Sequence, residues 1–306
     1  MRGDRRARRG ESPPSAASPA TTDADLVPSV KAAVDVPASD DPKWDLGPVV
    51  IDPHRLSLLL ESSNRFMLRA IATARQIASF ELPVLLTGET GTGKSVLAAA
   101  IHGWSQRMKG PFVTVSCRAP DKARHEPMEP VRAPTAVPYD DEGFPHAVPY
   151  GTLFLDEVGM LSNAAQAKLI RFLDEDRSAT LGIEQTAGDS TRVIAASSRD
   201  LEADVRAGRF RHELFFRLNV VTIHLPPLRE RREDIPQLTA KILAEICERH
   251  HRPPLQLTPE VRTALAAYTW RGNLRELATV LEHSVILART NMVQLTDLPE
   301  RIGRGG

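Results

Sequence analysis

Gly88, Glu89, Thr90, Gly91, Thr92, Gly93, Lys94 and Ser95 read GETGTGKS, and the spacing G-x-x-x-x-G-K-[ST] suits one kind of chemistry. Its glycines let successive backbone N–H groups turn toward a phosphate chain. The lysine reaches the β- and γ-phosphates, and the hydroxyl that follows ligates magnesium. The motif needs a strand before it and a helix after it. The apolar run PVLLT (83–87) precedes it, and SVLAAAIHGWSQRM follows at helical spacing. Further along, LFLDE (153–157) ends another apolar run with two carboxylates. Ligands of open parallel sheets bind at such carboxyl ends. Asp156 is therefore expected in the coordination shell of magnesium, and Glu157 beside an attacking water that it orients or deprotonates.

Three weaker signals surround this pair. RVIAASSRDL ends a third apolar run at Ser197 and Ser198; a hydroxyl there can touch a γ-phosphate or the water, and serines at a strand end also serve as plain turn residues. GRFRHELFFRLNV carries Arg211 and Arg217 around an apolar stripe of Phe210, Leu214, Phe215 and Leu218. Arginines on such a rim form ordinary surface ion pairs or reach a phosphate in a neighbouring subunit, and spacing leaves both open. WRGNLRELATVLEH opens a helix at Gly272-Asn273 with Arg275 in its first turn. That places a cation near the positive end of the helix dipole and calls for a partner, of which nucleotide phosphate is one candidate.

The elements that position these residues follow from periodicity. Five short apolar runs, PVLLT (83–87), FVTVS (112–116), TLFLD (152–156), RVIAAS (192–197) and VVTIHL (220–225), alternate with helical segments. That pattern predicts an α/β fold with a parallel sheet covered on both faces. After LPPLRERREDIP the strands are expected to stop, and IPQLTAKILAEICERHH, TPEVRTALAAYTW and NLRELATVLEHSVILA predict a small all-helical domain. The domains are expected at 1–45, a basic tail rich in Pro, Ser and Ala with too little apolar content to bury; at 46–228, the α/β core; and at 229–306, the helical domain. Lys+Arg and Asp+Glu both number 39 among 306 residues, so no chain-wide charge points to nucleic acid or an anionic membrane. No run approaches the roughly 20 apolar residues of a membrane span, and the basic start MRGDRRARRG is not followed by an apolar segment; the expectation is a cytoplasmic protein. Cys117 and Cys247 lie far apart in apolar surroundings, which fits buried thiols rather than a metal site or a disulfide.

Taken together, GETGTGKS, GTLFLDEVG followed by AQAKLIRFL, RVIAASSRDL, FRHELFFRLNV, LPPLRERREDIP and WRGNLREL resemble the AAA+ ATPase domain of sigma-54-dependent transcription activators, the bacterial enhancer-binding proteins. The strings stand in that family's order, and the likeness spans residues 51–302. The resemblance implies a five-stranded parallel AAA+ core with a helical lid. It implies ATP and Mg2+ as ligands, ATP hydrolysis, a role in regulating transcription, and a ring of subunits, hexameric or heptameric. It implies Lys94, Ser95, Asp156 and Glu157 as the nucleotide and catalytic centre, Ser197 or Ser198 as a first sensor, Arg211 and Arg217 as fingers acting across a ring interface, and Arg275 as a second sensor facing ATP. Sigma-54 RNA polymerase and related activators are the partners it suggests, with no membrane.

The departures concern the partner. Where the family carries the loop pattern GAFTGA, which contacts sigma-54, this chain has RAPDKARHEPMEPVRAPTAVPYDDEGFPHAVPY (118–150), with seven prolines and AVPY twice. Prolines disfavour the paired helices that would carry such a loop, and the expectation is that sigma-54 is not engaged in the usual way. AVPY suits polyproline-type recognition or a flexible substitute, with Phe144 and the two AVPY tyrosines available to pack the stretch down. Ser116 stands where the family has an asparagine that restrains the catalytic glutamate, and Arg271 replaces the proline of WPGN. No DNA-binding domain of its own is recognised. A nucleotide-gated binding module, or a co-regulator with little hydrolysis of its own, is the alternative reading.

Overall fold

The computed structural model describes residues 61–117, 148, 150–181 and 190–303. The expected tail at 1–45 and most of the proline-rich stretch lie outside the described residues. The chain divides into two compact units, residues 1–40 and 41–306, and all described residues belong to the second.

Helix α1 (Arg65–Ala78) is followed by β1 (Val84–Thr87), α2 (Lys94–Gly103), β2 (Phe112–Ser116), β3 (Thr152–Asp156), α3 (Asn163–Leu181), β4 (Arg192–Ser197), α4 (Leu201–Arg206), α5 (His212–Leu218) and β5 (Val221–His224). The five strands form one sheet in the order β2-β3-β4-β1-β5, every pairing parallel. Each strand falls within one residue of the run that announced it. A central strand in such a sheet is apolar on both faces because helices cover both. Leu85, Val113, Leu153, Leu155 and Val193 pack with Leu169 and Leu173 of α3 and Leu214 and Leu218 of α5. Their sequence neighbours Val84, Leu86, Phe154 and Ile194 point the other way, onto Met67, Ile71 and Ala74 of α1 and Leu97 and Ile101 of α2.

The lid is helical as expected. It contains α6 (Ile235–Arg249), α7 (Pro259–Ala267), α8 (Asn273–Leu287) and the short α9 (Glu300–Gly303) around its own apolar cluster, which runs from Leu228 to Ile302 and is centred on fully buried Trp270. It also holds one element that periodicity could not reveal, a two-residue parallel pair of β6 (Gln256–Leu257) with β7 (Met292–Val293). Two residues are too few to show a period of two.

The end of the proline-rich stretch corrects one expectation. Val148, inside the second AVPY, is fully buried in the core beside β3, and its N–H donates to Thr191 Oγ1 at 2.9 Å. Tyr150 is instead 54% exposed, so this tyrosine does not pack the stretch down. Val148 anchors the chain where Gly151 leads into β3; Tyr139 and Phe144 lie outside the described residues.

Candidate functional site

The carboxyl ends of β1, β3 and β4 converge on GETGTGKS. The loop leaves β1 at Thr87 and enters α2 at Lys94, and its glycines Gly88, Gly91 and Gly93 all hold positive φ. Gly88 sits at φ 142° and a Cβ there would come within 2.6 Å of the Leu225 carbonyl oxygen; Gly91 sits at φ 82° and a Cβ would meet the Gly272 oxygen at 2.4 Å. Thr92 is buried and closes the loop internally, its Oγ1 donating to the Glu89 carbonyl at 2.9 Å. Lys94 is only 6% exposed. Its ammonium donates to the carbonyl oxygens of Gly88 at 2.8 Å and Glu89 at 3.1 Å and stands 3.4 Å from Glu157 Oε1. Ser95, in the first turn of α2, is exposed.

Glu157 follows the last residue of β3 and is 3% exposed. It holds φ 60° and ψ 49°, a left-handed backbone that costs a non-glycine residue on the order of 1 kcal/mol or more and persists only where its surroundings enforce it. The enforcement is visible in its side chain. Ser198, just past β4, donates to Glu157 Oε2 from its hydroxyl at 2.6 Å and from its backbone N–H at 2.9 Å. Burial pushes the Glu157 carboxyl upward, but the Ser198 bonds and the Lys94 cation outweigh it and hold the carboxyl below the usual glutamate range. Asp156 pairs in register with Ser116, and its carbonyl accepts from Cys117 N–H at 2.8 Å. A buried carboxylate, a buried ammonium and glycine-shaped backbone thus share one strand edge, the arrangement expected where a phosphate chain meets a water.

The structure separates the two candidate serines. Ser197 is fully buried and exchanges hydrogen bonds with its own turn: its hydroxyl donates to the Arg199 carbonyl and accepts the Arg199 N–H, each at 3.0 Å. Ser198 alone reaches Glu157. Arg275, in the first turn of α8, is exposed, and its stem lies against the loop, since a Cβ on Gly91 would stand 3.3 Å from the Arg275 Cβ. Arg217 lies on α5, which packs on α3. Arg211 precedes the helix, and its N–H donates to Gln166 Oε1 at 2.8 Å. The Arg217 guanidinium is held within its own chain by Asp174 and by Glu213, the latter at 2.8 Å. Among the described residues neither arginine bonds to the phosphate loop.

Sequence reasoning missed two participants. Arg229 grips the Glu89 carboxylate with two bonds of 2.8 and 2.7 Å, and Asn273 donates to the same carboxylate at 3.1 Å. Both lie in quoted strings, LPPLRERREDIP and WRGNLREL, whose charged and amide residues were the available signal.

The residues fit a nucleoside triphosphate with magnesium. Gly88 and Gly91 have no room for a Cβ, so the loop is bare backbone at both positions. Ser95 and Asp156 supply hard oxygen donors of the kind magnesium takes from a protein when phosphates complete its shell. Among the described residues there is no group of three or more His, Cys, Asp or Glu able to cage a metal. Cys117 and Cys247 are buried and free.

This fold and loop define a phosphate-loop AAA+ protein. The chain belongs to the family described as the Sigma-54 interaction domain, whose model matches residues 60–224, followed by an AAA+ ATPase lid domain over 229–306. The alginate biosynthesis transcriptional regulatory protein AlgB of Pseudomonas putida is 40% identical over 242 residues, covering 78% of this chain and 54% of its own. The regulatory protein AtoC of Escherichia coli is 40% identical over 230 residues, covering 74% of this chain and 50% of its own. The chain therefore spans about half the length of these curated relatives. Among solved structures, NtrX from Brucella abortus in complex with ADP superimposes with a TM-score of 0.67 at 30% identity, over 82% of this chain and 57% of that one. Among the described residues no helix is long and apolar enough to cross a membrane.

Proposed function

We propose that this chain binds ATP with magnesium and hydrolyses it, as the motor of a sigma-54-activator-type regulator of transcription. The observation that carries the reading is the placement of Glu157 and Lys94 within 3.4 Å of each other beside the phosphate loop. Residues 46–228 are taken as the motor core and 229–306 as its lid. Gly88 to Gly93 present backbone N–H groups to the phosphates. Lys94 exchanges its carbonyl partners for phosphate oxygens, and Ser95 and Asp156 would hold Mg2+, whose charge stabilises the phosphate oxygens during transfer. Glu157, kept ionised by Ser198 and Lys94, orients the attacking water and takes up its proton. Ser198 senses the site through Glu157, and Arg275 reaches the phosphates from the lid. Arg211 and Arg217 act on the nucleotide of a neighbouring subunit in a hexameric or heptameric ring.

This last role sets the test, ATP turnover against protein concentration. Specific activity is expected to rise with concentration, and a mixture of inactive Arg217→Ala and inactive Lys94→Ala should regain activity, because one supplies the finger and the other the site. Concentration-independent turnover by a monomer would overturn it.

A second reading, a nucleotide-gated module with little hydrolysis of its own, draws on one observation. Both Glu157 oxygens are engaged, Oε1 with Lys94 and Oε2 with Ser198, so the base must be released before it can act. We also infer from the residues between Cys117 and Gly151 that the chain does not open a sigma-54 promoter complex by itself. ATP-dependent opening by the purified chain would contradict this.

A further inference from the structure

Asn273 is fully buried and holds φ 53°, a left-handed backbone that asparagine tolerates better than most residues. At the start of a helix an asparagine ordinarily caps its own N–H groups; here its bonds go to other segments. Oδ1 accepts the Leu228 N–H at 2.7 Å, while Nδ2 donates to the Thr90 carbonyl at 3.0 Å and to Glu89 Oε2 at 3.1 Å. Both amide donors are spent on the phosphate loop, and the oxygen is spent on the linker between core and lid. Around this point the loop is gripped residue by residue. Arg229 fixes the Glu89 carboxylate through a charge-assisted fork. The Leu274 N–H donates to the Gly91 carbonyl at 3.0 Å, and buried Arg231 donates to the Thr92 carbonyl at 3.1 Å. Glu89, Thr90, Gly91 and Thr92 are thus each bonded by a residue that comes after the last strand of the core.

We propose that Asn273 and Glu89 are positioning residues, forming the joint through which occupancy of the phosphate loop is transmitted to the lid and to Arg275. The inference rests on the nucleotide-binding reading above. The bonds leave little slack: a loop that shifts to wrap phosphates moves the Glu89 carboxylate and the Thr90 carbonyl together, and the amide that bonds both must follow or break away. Asn273 belongs to α8, so its displacement carries the first turn of that helix, where Arg275 already leans on Gly91. Coupling of this kind requires contacts that differ between the two states of the loop, and the Asn273 amide supplies them. Arg229 holds the Glu89 carboxylate with two bonds, which restrains its side-chain rotation.

The test is amide hydrogen exchange on the full chain, with and without saturating ADP and magnesium, in wild type, Asn273→Gly and Glu89→Gln. Glycine keeps the left-handed backbone and removes all three side-chain bonds. Glutamine keeps the shape of Glu89 at a partly exposed site and removes its charge, so one variant folds even if the other does not. In wild type, ADP is expected to slow exchange both in the loop (88–95) and in the first turn of α8, including the Leu274 amide. In Asn273→Gly the loop is expected to remain protected by ADP while the α8 turn is not, with the ADP dissociation constant raised about tenfold; Glu89→Gln should show the same loss in part. Equal protection of the α8 turn in wild type and both variants, with affinities within twofold, would overturn the joint. Failure of wild type to bind ADP at all would overturn the nucleotide reading and the joint with it.

Discussion

At the amino ends of the strands, Arg107 and Arg192 are buried to 7% and 2% exposure; at the carboxyl ends of the same sheet, Lys94 and Glu157 are buried to 6% and 3%. The first pair is spent mainly on backbone. Arg192 donates to the Ala78 and Ile77 carbonyls at 2.7 and 3.0 Å, tying down the open end of α1. Arg107 donates to Gly151 and Ser190 carbonyls, to the Ser190 hydroxyl at 2.7 Å and to Glu81 at 2.6 Å. These contacts satisfy helix ends and strand entries. The second pair is acid against base, held by a residue in a left-handed conformation and set beside a loop that only glycine can build. Burial of charge alone therefore does not mark chemistry. What marks it is burial joined to backbone strain and to partners that could be exchanged for a ligand.

The sharpest way to break the comparison is to remove one cation from each end. Lys94→Ala should lower magnesium–ATP affinity at least about 1,000-fold, roughly 4 kcal/mol, while the melting temperature stays within a few degrees; titration calorimetry and thermal unfolding read the two effects. Arg192→Ala should do the reverse. It leaves buried carbonyls unpaired and a cavity, costing about 3 kcal/mol of stability, with ATP affinity of the folded protein unchanged. Equal effects on binding from both variants would dissolve the distinction.

A third measurement stays at the amino end. His102 is 3% exposed, its Nδ1 lies 2.9 Å from Thr152 Oγ1, and burial followed by the nearby Arg192 and Arg107 charges depresses its pKa from 6.5 to about 4. The folded state thus binds this proton more weakly than the unfolded chain. The stability linked to neutral His102 is complete above pH 6.5 and is lost as pH falls toward about 4, amounting to about 3 kcal/mol. Denaturant unfolding should show that wild type loses this increment between pH 7 and pH 4 relative to His102→Gln.

The smallest effect belongs to Ser198→Ala. Alanine removes the hydroxyl bond to Glu157 and keeps the backbone N–H bond, so the upward push of burial is less fully offset and the Glu157 pKa rises. The acid limb of the turnover profile should move to higher pH, and kcat should change about tenfold, roughly 1.4 kcal/mol, with nucleotide affinity nearly constant. An unmoved acid limb would mean that Ser198 does not set the state of Glu157.

The sheet was legible because its inner strands β1, β3 and β4 are buried on both faces and so written as continuous apolar runs. The loop was legible because its glycines and lysine are fixed by local geometry. Contacts that depend on tertiary approach were not. Asn273 and Glu89 are 184 residues apart, and nothing in either string says that the helix-opening amide reaches the loop rather than capping its own helix. The hold of Ser198 on Glu157 likewise depends on β3 and β4 lying side by side, which alternation predicts without fixing which of two adjacent serines faces the acid. The Arg217 ion pairs with Asp174 and Glu213 could be read only in part: Glu213, four residues away on one helix, was within reach of pattern reasoning, and Asp174 was not.

The most direct test is single-turnover hydrolysis by wild type and Glu157→Gln, each saturated with magnesium–ATP and matched for occupancy by calorimetry. The account predicts that Glu157→Gln binds ATP within about threefold of wild type and hydrolyses it at least about 1,000-fold more slowly, a barrier roughly 4 kcal/mol higher. Hydrolysis by Glu157→Gln within twofold of wild type would contradict it and remove Glu157 from the chemistry.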